Sequence, residues 1–243
     1  MMSPRPRSLR AGVIAAGRGD RLRPGMNCLK PLVRISGRTL IERVLASIGA
    51  AGATEVVVIV NEASLAVEGH VTALEWPFPI RWIVETTPSS MHSFLRVLET
   101  LAENGDPGPF LISTVDTVAA PGAFADFLDE ARDHVEADVT LALTSPGEDE
   151  KPLLVTLEDS RVTAMGEAVP ASPYATAGYY LVRPSILREA AQARLDELGA
   201  LRAYFSRLLE RGYRIDGIPV RESVDVDRPD DVAAAEELLR RTL

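Results

Sequence analysis

Glycines and basic residues crowd into one short stretch near the start of the chain. An apolar run ends at Gly17 and Gly19, and Arg18, Arg21 and Lys30 add positive charge around and after this point. Glycine lacks a Cβ, so backbone N–H groups can approach an anion closely. Arginine pairs with phosphate oxygens in a bidentate manner, and lysine adds a compact charge. The stretch therefore predicts a binding site for a polyphosphate.

Two common phosphate-binding loops do not fit this stretch. The dinucleotide fingerprint Gly-x-Gly-x-x-Gly requires a third glycine at the position of Leu22. Pro24 and Gly25 would also break the helix that opens at that fingerprint. No Gly-Lys-Ser/Thr follows at the spacing of a P-loop. The expected phosphate loop is thus of another kind.

A carboxylate follows a second apolar run, at Asp116. In open α/β sheets ligands bind at the carboxyl ends of the strands, and the run at 109–113 is predicted to be such a strand. Mg²⁺ prefers hard oxygen ligands and commonly uses one or two carboxylates together with substrate phosphates. Asp116 is therefore a candidate magnesium ligand, and a turn or helix-capping role is the structural alternative.

The segments between these residues alternate in pattern. Strands are predicted over 13–16, 55–60, 80–84, 109–113, 138–143, 175–182 and 214–219, with a hairpin around Asp159 and Ser160. Helices are predicted over 39–50, 61–74, 89–102, 121–134 and 230–239, and over two segments of 188–211. This alternation predicts an α/β fold, Rossmann-like, with a mostly parallel central sheet and helices on both faces.

Length and composition limit the classes of protein. The 243 residues, 46% hydrophobic and 25% charged, suit a single globular domain over 11–243 after a disordered lead-in at 1–10. A net charge of −9 argues against general nucleic-acid binding. No apolar run approaches the roughly 18 residues of a membrane helix. Cys28 is the single cysteine, which fits a reducing cytoplasm and excludes an internal disulfide. We expect a cytoplasmic protein without nucleic-acid or membrane partners.

The basic stretch resembles the signature of nucleotidyltransferases with a GT-A-like fold, a group that includes sugar-1-phosphate nucleotidylyltransferases and cytidylyltransferases. The matching residues are Ala16-Gly17-Arg18-Gly19-Asp20-Arg21-Leu22, followed by Lys30-Pro31-Leu32. Leu29 stands where sugar-specific members usually have proline. The resemblance implies Arg21 and Lys30 as catalytic residues.

The resemblance also implies residues that bind the nucleotide. These are Ala15, Ala16, Gly17, Arg18 and Gly19 at the first strand and its loop, and Pro88, Ser89 and Ser90 in a later segment that would hold the base and ribose. Relatives usually have Gly-Thr-Ala after that proline, so the base preference is open. The nucleotide-binding part would cover about 11–145.

The metal site implied by the resemblance uses Asp116 and a carboxylate near the last helix. Asp225-Val226-Asp227-Arg228-Pro229-Asp230-Asp231-Val232 resembles the Asp-x-Asp-Thr-Pro-Glu-Asp-Leu segment of the family. Sugar-specific members match their metal aspartate to Asp225, and some cytidylyltransferases match it to Asp227, so both are kept. Asp227 also suits the N-terminal dipole of the following helix.

The acceptor-side part would cover about 146–243. Ala177, Gly178 and Tyr180 resemble a strand that lines the acceptor pocket in sugar enzymes, although Thr176 replaces the usual asparagine. Glu167 matches the glutamate of a Glu-Lys-Pro motif, but Ala168 replaces its lysine, which normally grips the acceptor phosphate. Lys151 is the nearest lysine to that position, without supporting spacing.

These matches imply a Mg²⁺-dependent nucleotidyltransferase that joins a nucleoside triphosphate to a phosphorylated acceptor. A sugar 1-phosphate, giving an NDP-sugar and pyrophosphate, is the leading acceptor. The alternative is a cytidylyltransferase for a phospho-alcohol such as phosphocholine or inositol phosphate. A non-catalytic nucleotide-binding regulator of the same fold and a metal-dependent glycosyltransferase are further alternatives. The nucleobase and the oligomeric state are not determined by the residues.

Overall fold

The chain alternates between strands and helices in the computed structural model, which describes residues 8–17, 28–146 and 152–242. Its strands are β1 (Leu9–Ala15), β2 (Arg34–Ile35), β3 (Arg38–Thr39), β4 (Ala53–Val60), β5 (Ile80–Val84), β6 (Phe110–Thr114), β7 (Thr117–Ala119), β8 (Val139–Thr144), β9 (Val155–Glu158), β10 (Arg161–Met165), β11 (Ala175–Val182), β12 (Ile215–Pro219) and β13 (Ser223–Asp225). Its α-helices are α1 (Leu40–Ala50), α2 (Leu65–Thr72), α3 (Ser90–Leu101), α4 (Ala123–Glu130), α5 (Ala190–Leu195), α6 (Leu201–Glu210) and α7 (Pro229–Arg241).

One mixed sheet forms the centre of the molecule, in the order β5-β4-β1-β6-β11-β8-β12-β10-β9. Strands β5, β4, β1 and β6 are parallel, and β12 is parallel to β8. Strand β11 runs antiparallel to both of its neighbours, and β10 and β9 form an antiparallel hairpin at one end. The architecture confirms the predicted α/β fold with a mostly parallel central sheet.

Apolar side chains cover both faces of this sheet. Within β4, Val56 and Val58 belong to one buried cluster and Val57 and Ile59 to the other, because successive strand residues point to opposite faces. Helices α1, α2, α4 and α7 pack on the first face. Helices α3, α5 and α6 pack on the second face. Strands buried on both faces explain the continuous apolar runs in the sequence.

Strand β1 begins at Leu9, four residues before the strand that the apolar run predicts over 13–16. Leu9 and Arg10 were assigned to a disordered lead-in, and this is wrong for both because they pair with β4. The Arg10 guanidinium also donates to Glu55 at 2.8 Å and to the carbonyl of Leu101 at 2.5 Å. The pairing and these contacts order a charged residue that has no strand signal of its own.

Two predicted helices are shorter in the structure. The segment predicted as a helix over 61–74 forms a 3₁₀ turn, Glu62–Ser64, before α2. The segment predicted over 121–134 begins only after Gly122, whose φ of 81° lies in the left-handed region, and ends in a 3₁₀ turn, Ala131–Asp133. No helix in the described part of the chain is long and apolar enough to span a membrane.

A short two-stranded ribbon lies at the carboxyl end of β6. Strands β7 and β13 pair antiparallel, with Asp225 opposite Thr117. The N–H of Val226 continues this pairing by donating to the carbonyl of Asp116 at 3.0 Å. The ribbon therefore brings the acidic segment before α7 against the end of β6, although more than a hundred positions of sequence separate them.

Candidate active site

Lys30 lies at the centre of the polar cluster beside this ribbon. It opens a 3₁₀ turn, Lys30–Leu32, in which Pro31 is buried and anchors the backbone. The Lys30 ammonium donates to Oδ2 of Asp116 at 2.6 Å and also pairs with Oδ1 of Asp227. Its side chain is only 9% exposed. The structure thus joins three residues that the sequence placed in one site.

Lys30 and Asp116 stabilise each other's charged forms. Burial acts to lower the pKa of Lys30, but the charges and hydrogen bonds of Asp116 and Asp227 outweigh burial and raise it. For Asp116, burial acts to raise the pKa, and the neighbouring ammonium of Lys30 outweighs it, so the pKa lies below its ordinary value. Both shifts favour the charged forms, an ammonium on Lys30 beside a carboxylate on Asp116.

Asp225 is held by a different partner from Asp227. Its Oδ1 accepts a hydrogen bond from the buried hydroxyl of Thr117 at 3.0 Å, and the residue keeps an exposed edge. Desolvation of the carboxyl within the cluster and the negative charge of Asp116 raise the pKa of Asp225. A divalent cation bound between two such carboxyl groups would offset the repulsion between their charges.

The donor set of Asp116 and Asp225 fits magnesium. Both offer hard carboxylate oxygens, and magnesium completes its shell with water and substrate phosphates rather than with a full cage of side chains. Within residues 8–17, 28–146 and 152–242 no group of three or more His, Cys, Asp or Glu side chains is arranged to hold a metal ion. Asp227 extends toward Lys30 instead, and its backbone N–H donates to Asp231 at 2.8 Å.

The acceptor strand touches the same cluster at Gly178. This residue has a φ of 79°, and a Cβ built on it would lie 1.9 Å from Oγ1 of Thr117 and 3.2 Å from Oδ1 of Asp225. Only glycine fits such a position. Ala177 is buried beside it in β11. The structure therefore brings two of the predicted acceptor residues to the predicted metal residues.

The nucleotide-binding residues that can be described lie at the end of β1. Ala15 is buried, Ala16 is half-buried and Gly17 is exposed. Asn61, at the end of the neighbouring β4, donates through Nδ2 to the carbonyl of Ala16 at 3.0 Å and fixes the chain where it leaves the sheet.

Three further predicted residues of this loop, Arg18, Gly19 and Arg21, lie outside the described residues, as does Lys151. The structure therefore describes the two ends of the predicted phosphate loop, which are the end of β1 and Lys30. Lys30 contacts Asp116, which follows β6, and β6 is the strand beside β1.

The segment Pro88–Ser90 leads into α3. Pro88 is exposed, and the Ser89 hydroxyl lies 2.9 Å from Nδ1 of His92. Burial and the charge of Arg194 lower the pKa of His92. The Ser90 hydroxyl accepts from the N–H of Leu201 at 3.0 Å and so ties α3 to the start of α6.

Glu167, the third predicted acceptor residue, lies in a 3₁₀ turn, Gly166–Ala168, after β10.

Sequence reasoning missed the hydroxyl groups of the site. Thr114 and Thr117 flank Asp116 and reach Gly178 and Asp225, and Asn61 anchors Ala16. Their sequence signal is a polar residue at or shortly after the end of a buried strand, which is common in turns and therefore weak.

Comparison with known proteins gives one family. The profile of the MobA-like NTP transferase domain matches residues 11–209. A "bifunctional IPC transferase and DIPP synthase" from Rubrobacter xylanophilus is 31% identical over 237 residues, which are 94% of this chain. The chain spans 51% of the length of that relative.

Solved structures share the fold. An inositol-1-phosphate CTP transferase from T. maritima superposes with a TM-score of 0.80 at 20% identity, covering 97% of this chain and 96% of that one. A nucleoside-diphosphate-sugar pyrophosphorylase from Vibrio cholerae RC9 superposes with a TM-score of 0.70 at 20% identity, covering 93% and 99%.

Proposed function

The chain belongs to the family of MobA-like NTP transferase domains, and we propose that it transfers a cytidylyl group from CTP to a phosphorylated alcohol such as an inositol phosphate. The observation that carries the chemistry is the contact of Lys30 with Asp116 and Asp227 at the end of the phosphate loop. The relative that is 31% identical over 94% of the chain supports this acceptor, because its name includes an IPC transferase, which fits a cytidylyltransferase. This reverses the order of the two acceptors that the sequence suggested.

The proposed reaction is a displacement at phosphorus. An oxygen of the acceptor phosphate forms a bond to the α-phosphorus of the nucleotide, and the bond from that phosphorus to the bridging oxygen of the β-phosphate breaks. Pyrophosphate leaves with the electron pair. Because the acceptor phosphate is already an anion, no strong general base is needed, and the enzyme contributes positioning and charge neutralisation.

Lys30 neutralises charge on the α-phosphate in this proposal. Its ammonium is held within hydrogen-bond distance of Asp116 and by Asp227, so it is oriented before the substrate arrives. A fixed cation needs little reorganisation as negative charge develops, which is the main source of such stabilisation. Arg21 and the N–H groups of Gly17 and Gly19 would bind the β- and γ-phosphates.

Asp116 and Asp225 would hold Mg²⁺. The bound ion would neutralise phosphate charge and polarise a phosphoryl oxygen as a Lewis acid. Of the two aspartates that the sequence left open, we assign Asp225 to the metal because Thr117 orients it and Asp116 lies close enough to raise its pKa. Asp227 is assigned to Lys30, with which it forms an ion pair.

The substrates would lie on opposite sides of this centre. Ala15, Ala16 and Arg18, with Pro88, Ser89 and Ser90, would bind the nucleotide on the part of the chain at about 11–145. Glu167, Ala177 and Gly178 would face the acceptor on the part at about 146–243. The closeness of Gly178 to Asp225 supports this arrangement, because the acceptor phosphate would have to reach an α-phosphate that lies beside the proposed metal site.

A sugar 1-phosphate is the second candidate acceptor. The Ala177-Gly178-x-Tyr180 strand that resembles sugar enzymes is present and buried, which favours this acceptor. Ala168 in place of the phosphate-gripping lysine favours the phospho-alcohol instead.

Pyrophosphate release measured for the four common ribonucleoside triphosphates, each with inositol 1-phosphate, phosphocholine or glucose 1-phosphate, separates the candidates. We expect CTP with inositol 1-phosphate to give the fastest release. Faster release with glucose 1-phosphate and any triphosphate would establish the sugar acceptor. Nucleotide binding without release for any pair would identify a regulator and overturn the proposal.

A further inference from the structure

Four oxygen atoms lie in a row from the predicted acceptor strand to the proposed metal carboxylate. Oγ1 of Thr114 lies 3.3 Å from the carbonyl oxygen of Gly178 and 2.9 Å from Oγ1 of Thr117. Oγ1 of Thr117 in turn donates to Oδ1 of Asp225 at 3.0 Å. Thr117 is 2% exposed. A buried hydroxyl of this kind makes a directed hydrogen bond that water does not easily replace.

The glycine at position 178 provides the space for this row of oxygen atoms. Its left-handed φ of 79° turns the backbone against the two threonines, and any Cβ would approach Oγ1 of Thr114 to 2.9 Å as well as colliding with Thr117. Thr117 is also the residue opposite Asp225 in the β7–β13 ribbon. Backbone pairing and side-chain bonding therefore act on the same pair of residues.

The direction of the hydrogen bonds determines which oxygen of Asp225 faces a cation. An ionised carboxylate only accepts, so Thr117 must give its single proton to Oδ1 of Asp225. Thr114 also has a single proton, so when it donates to Thr117 its 3.3 Å approach to the carbonyl of Gly178 is a close contact and not a second hydrogen bond. This arrangement commits Oδ1 to the protein and fixes the rotation of the carboxyl group, which leaves Oδ2 for the metal.

We infer that Thr117, supported by Thr114, is a positioning residue that orients Asp225 for Mg²⁺ through a relay of hydroxyl groups. The inference rests on the proposed function, because it takes Asp116 and Asp225 as the metal carboxylates. Partners that orient metal ligands commonly change metal affinity by about 10- to 100-fold when they are removed. A role restricted to folding would instead change stability and leave metal affinity unaltered.

The test measures Mn²⁺ binding to the full chain by electron paramagnetic resonance, without substrates. We expect Thr117→Val, which keeps the shape and removes the hydroxyl, to weaken Mn²⁺ binding by about 10- to 100-fold. Thr117→Ser keeps the hydroxyl and should restore binding. Thr114→Val should give a smaller loss, because it removes only the support of Thr117.

Thr100→Val is the matched control. Thr100 is a buried threonine in α3 whose hydroxyl donates to the carbonyl of Arg96, away from the acidic cluster. Its variant should lose thermal stability to a similar degree as Thr117→Val while binding Mn²⁺ as the unmodified protein does. Melting temperatures of all variants separate unfolding from loss of the metal.

Equal Mn²⁺ affinity in Thr117→Val and the unmodified protein would overturn the inference, as would absence of Mn²⁺ binding in the unmodified protein. Failure of Thr117→Ser to recover binding would also count against it, because the hydroxyl would then not be the active group. None of these outcomes depends on turnover. The pyrophosphate screen can therefore fail or succeed independently, which distinguishes the inference from the proposed function.

Discussion

Carboxylates that pair with basic side chains in two regions of the molecule differ in their exposure to solvent. Asp216 in β12 is 0% exposed, and both of its oxygens are bonded, to Nδ1 of His134 at 2.8 Å and to the Arg214 guanidinium at 3.1 Å. In the candidate active site, the side chains of Asp116 and Asp227 are 24% and 38% exposed although each contacts Lys30.

This difference separates a structural ion cluster from the proposed functional one. The carboxyl group of Asp216 is buried and both of its oxygens already have partners, so it offers no position for a ligand. Removal of either partner would lower the stability of the fold. The active-site carboxylates share one ammonium and open toward solvent, so a cation or a phosphate can enter among them. Access and shared partners, rather than the presence of buried charge, therefore indicate where chemistry takes place.

Removal of divalent metal is expected to have the largest effect. Treatment with EDTA should reduce pyrophosphate release to background, and added Mg²⁺ or Mn²⁺ should restore it, because Asp116 and Asp225 are proposed to act through the ion. The same treatment should leave the melting temperature of the protein nearly unchanged, because the contacts of the Asp216 cluster do not involve a metal ion. Undiminished turnover in EDTA would remove the distinction between the two regions.

Replacement of Lys30 should have the next largest effect. Lys30→Ala is expected to lower kcat by about 10²-fold or more, the loss seen when one charge-stabilising donor is removed from a transition state. Steady-state pyrophosphate release measures this change. Arg34→Ala is the control, since it removes a nearby exposed cation that bonds only the carbonyl of Gly37 among the contacts described. Similar kinetics for both variants would refute the role of Lys30.

Asp227→Asn should have an intermediate effect on turnover. Lys30 keeps Asp116 but loses the charge of its second partner, so its position becomes less well defined and kcat falls by about tenfold. Mn²⁺ affinity should change much less than in Asp225→Asn, because Asp225 is the proposed metal ligand. Asp230→Asn, an exposed change three residues later, is the control. A larger loss of Mn²⁺ affinity in Asp227→Asn would reverse the assignment of the two aspartates.

Asp216→Asn should have the smallest effect on turnover and a clear effect on stability. The asparagine amide cannot accept at both oxygens, so the variant should lower the free energy of unfolding by about 2 kcal/mol, the scale for a buried group left partly unsatisfied. Urea denaturation measures this loss, and kcat of the folded enzyme should stay unchanged. Asp126→Asn, an exposed aspartate, is the control for stability. A loss of kcat without a loss of stability would contradict the comparison.

Much of the fold could be predicted because local signals agree with the final packing. Strands β5 and β11 have the bounds predicted for them, since prolines on both sides delimit their apolar runs. Helix α1 begins directly after Thr39, whose hydroxyl accepts from the N–H of Glu42 at 3.3 Å as an N-cap. These features depend on neighbours in sequence, which pattern reasoning can read.

The arrangement of the active site could be predicted only in part, because it depends on contacts between distant residues. Strands β7 and β13 have three residues each, too few for a periodic pattern. Asp225 and Asp227 would point to the same side of a continuous strand, so the sequence could not separate them. The strand ends at Asp225, and the chain then turns Asp227 toward Lys30.

The family profile ends at residue 209, whereas β12, β13, Asp225 and Asp227 all come later in the chain. A protein trimmed to the profile's boundary would keep its diagnostic loop yet expose the hydrogen-bonding edge of β8 that β12 covers, a surface prone to aggregation. It would also lose two of the three aspartates around Lys30. The residues matched by the family profile thus do not include all the residues of the proposed active site. A fragment that ends at residue 209 would be assigned to the family but is expected to have no transferase activity.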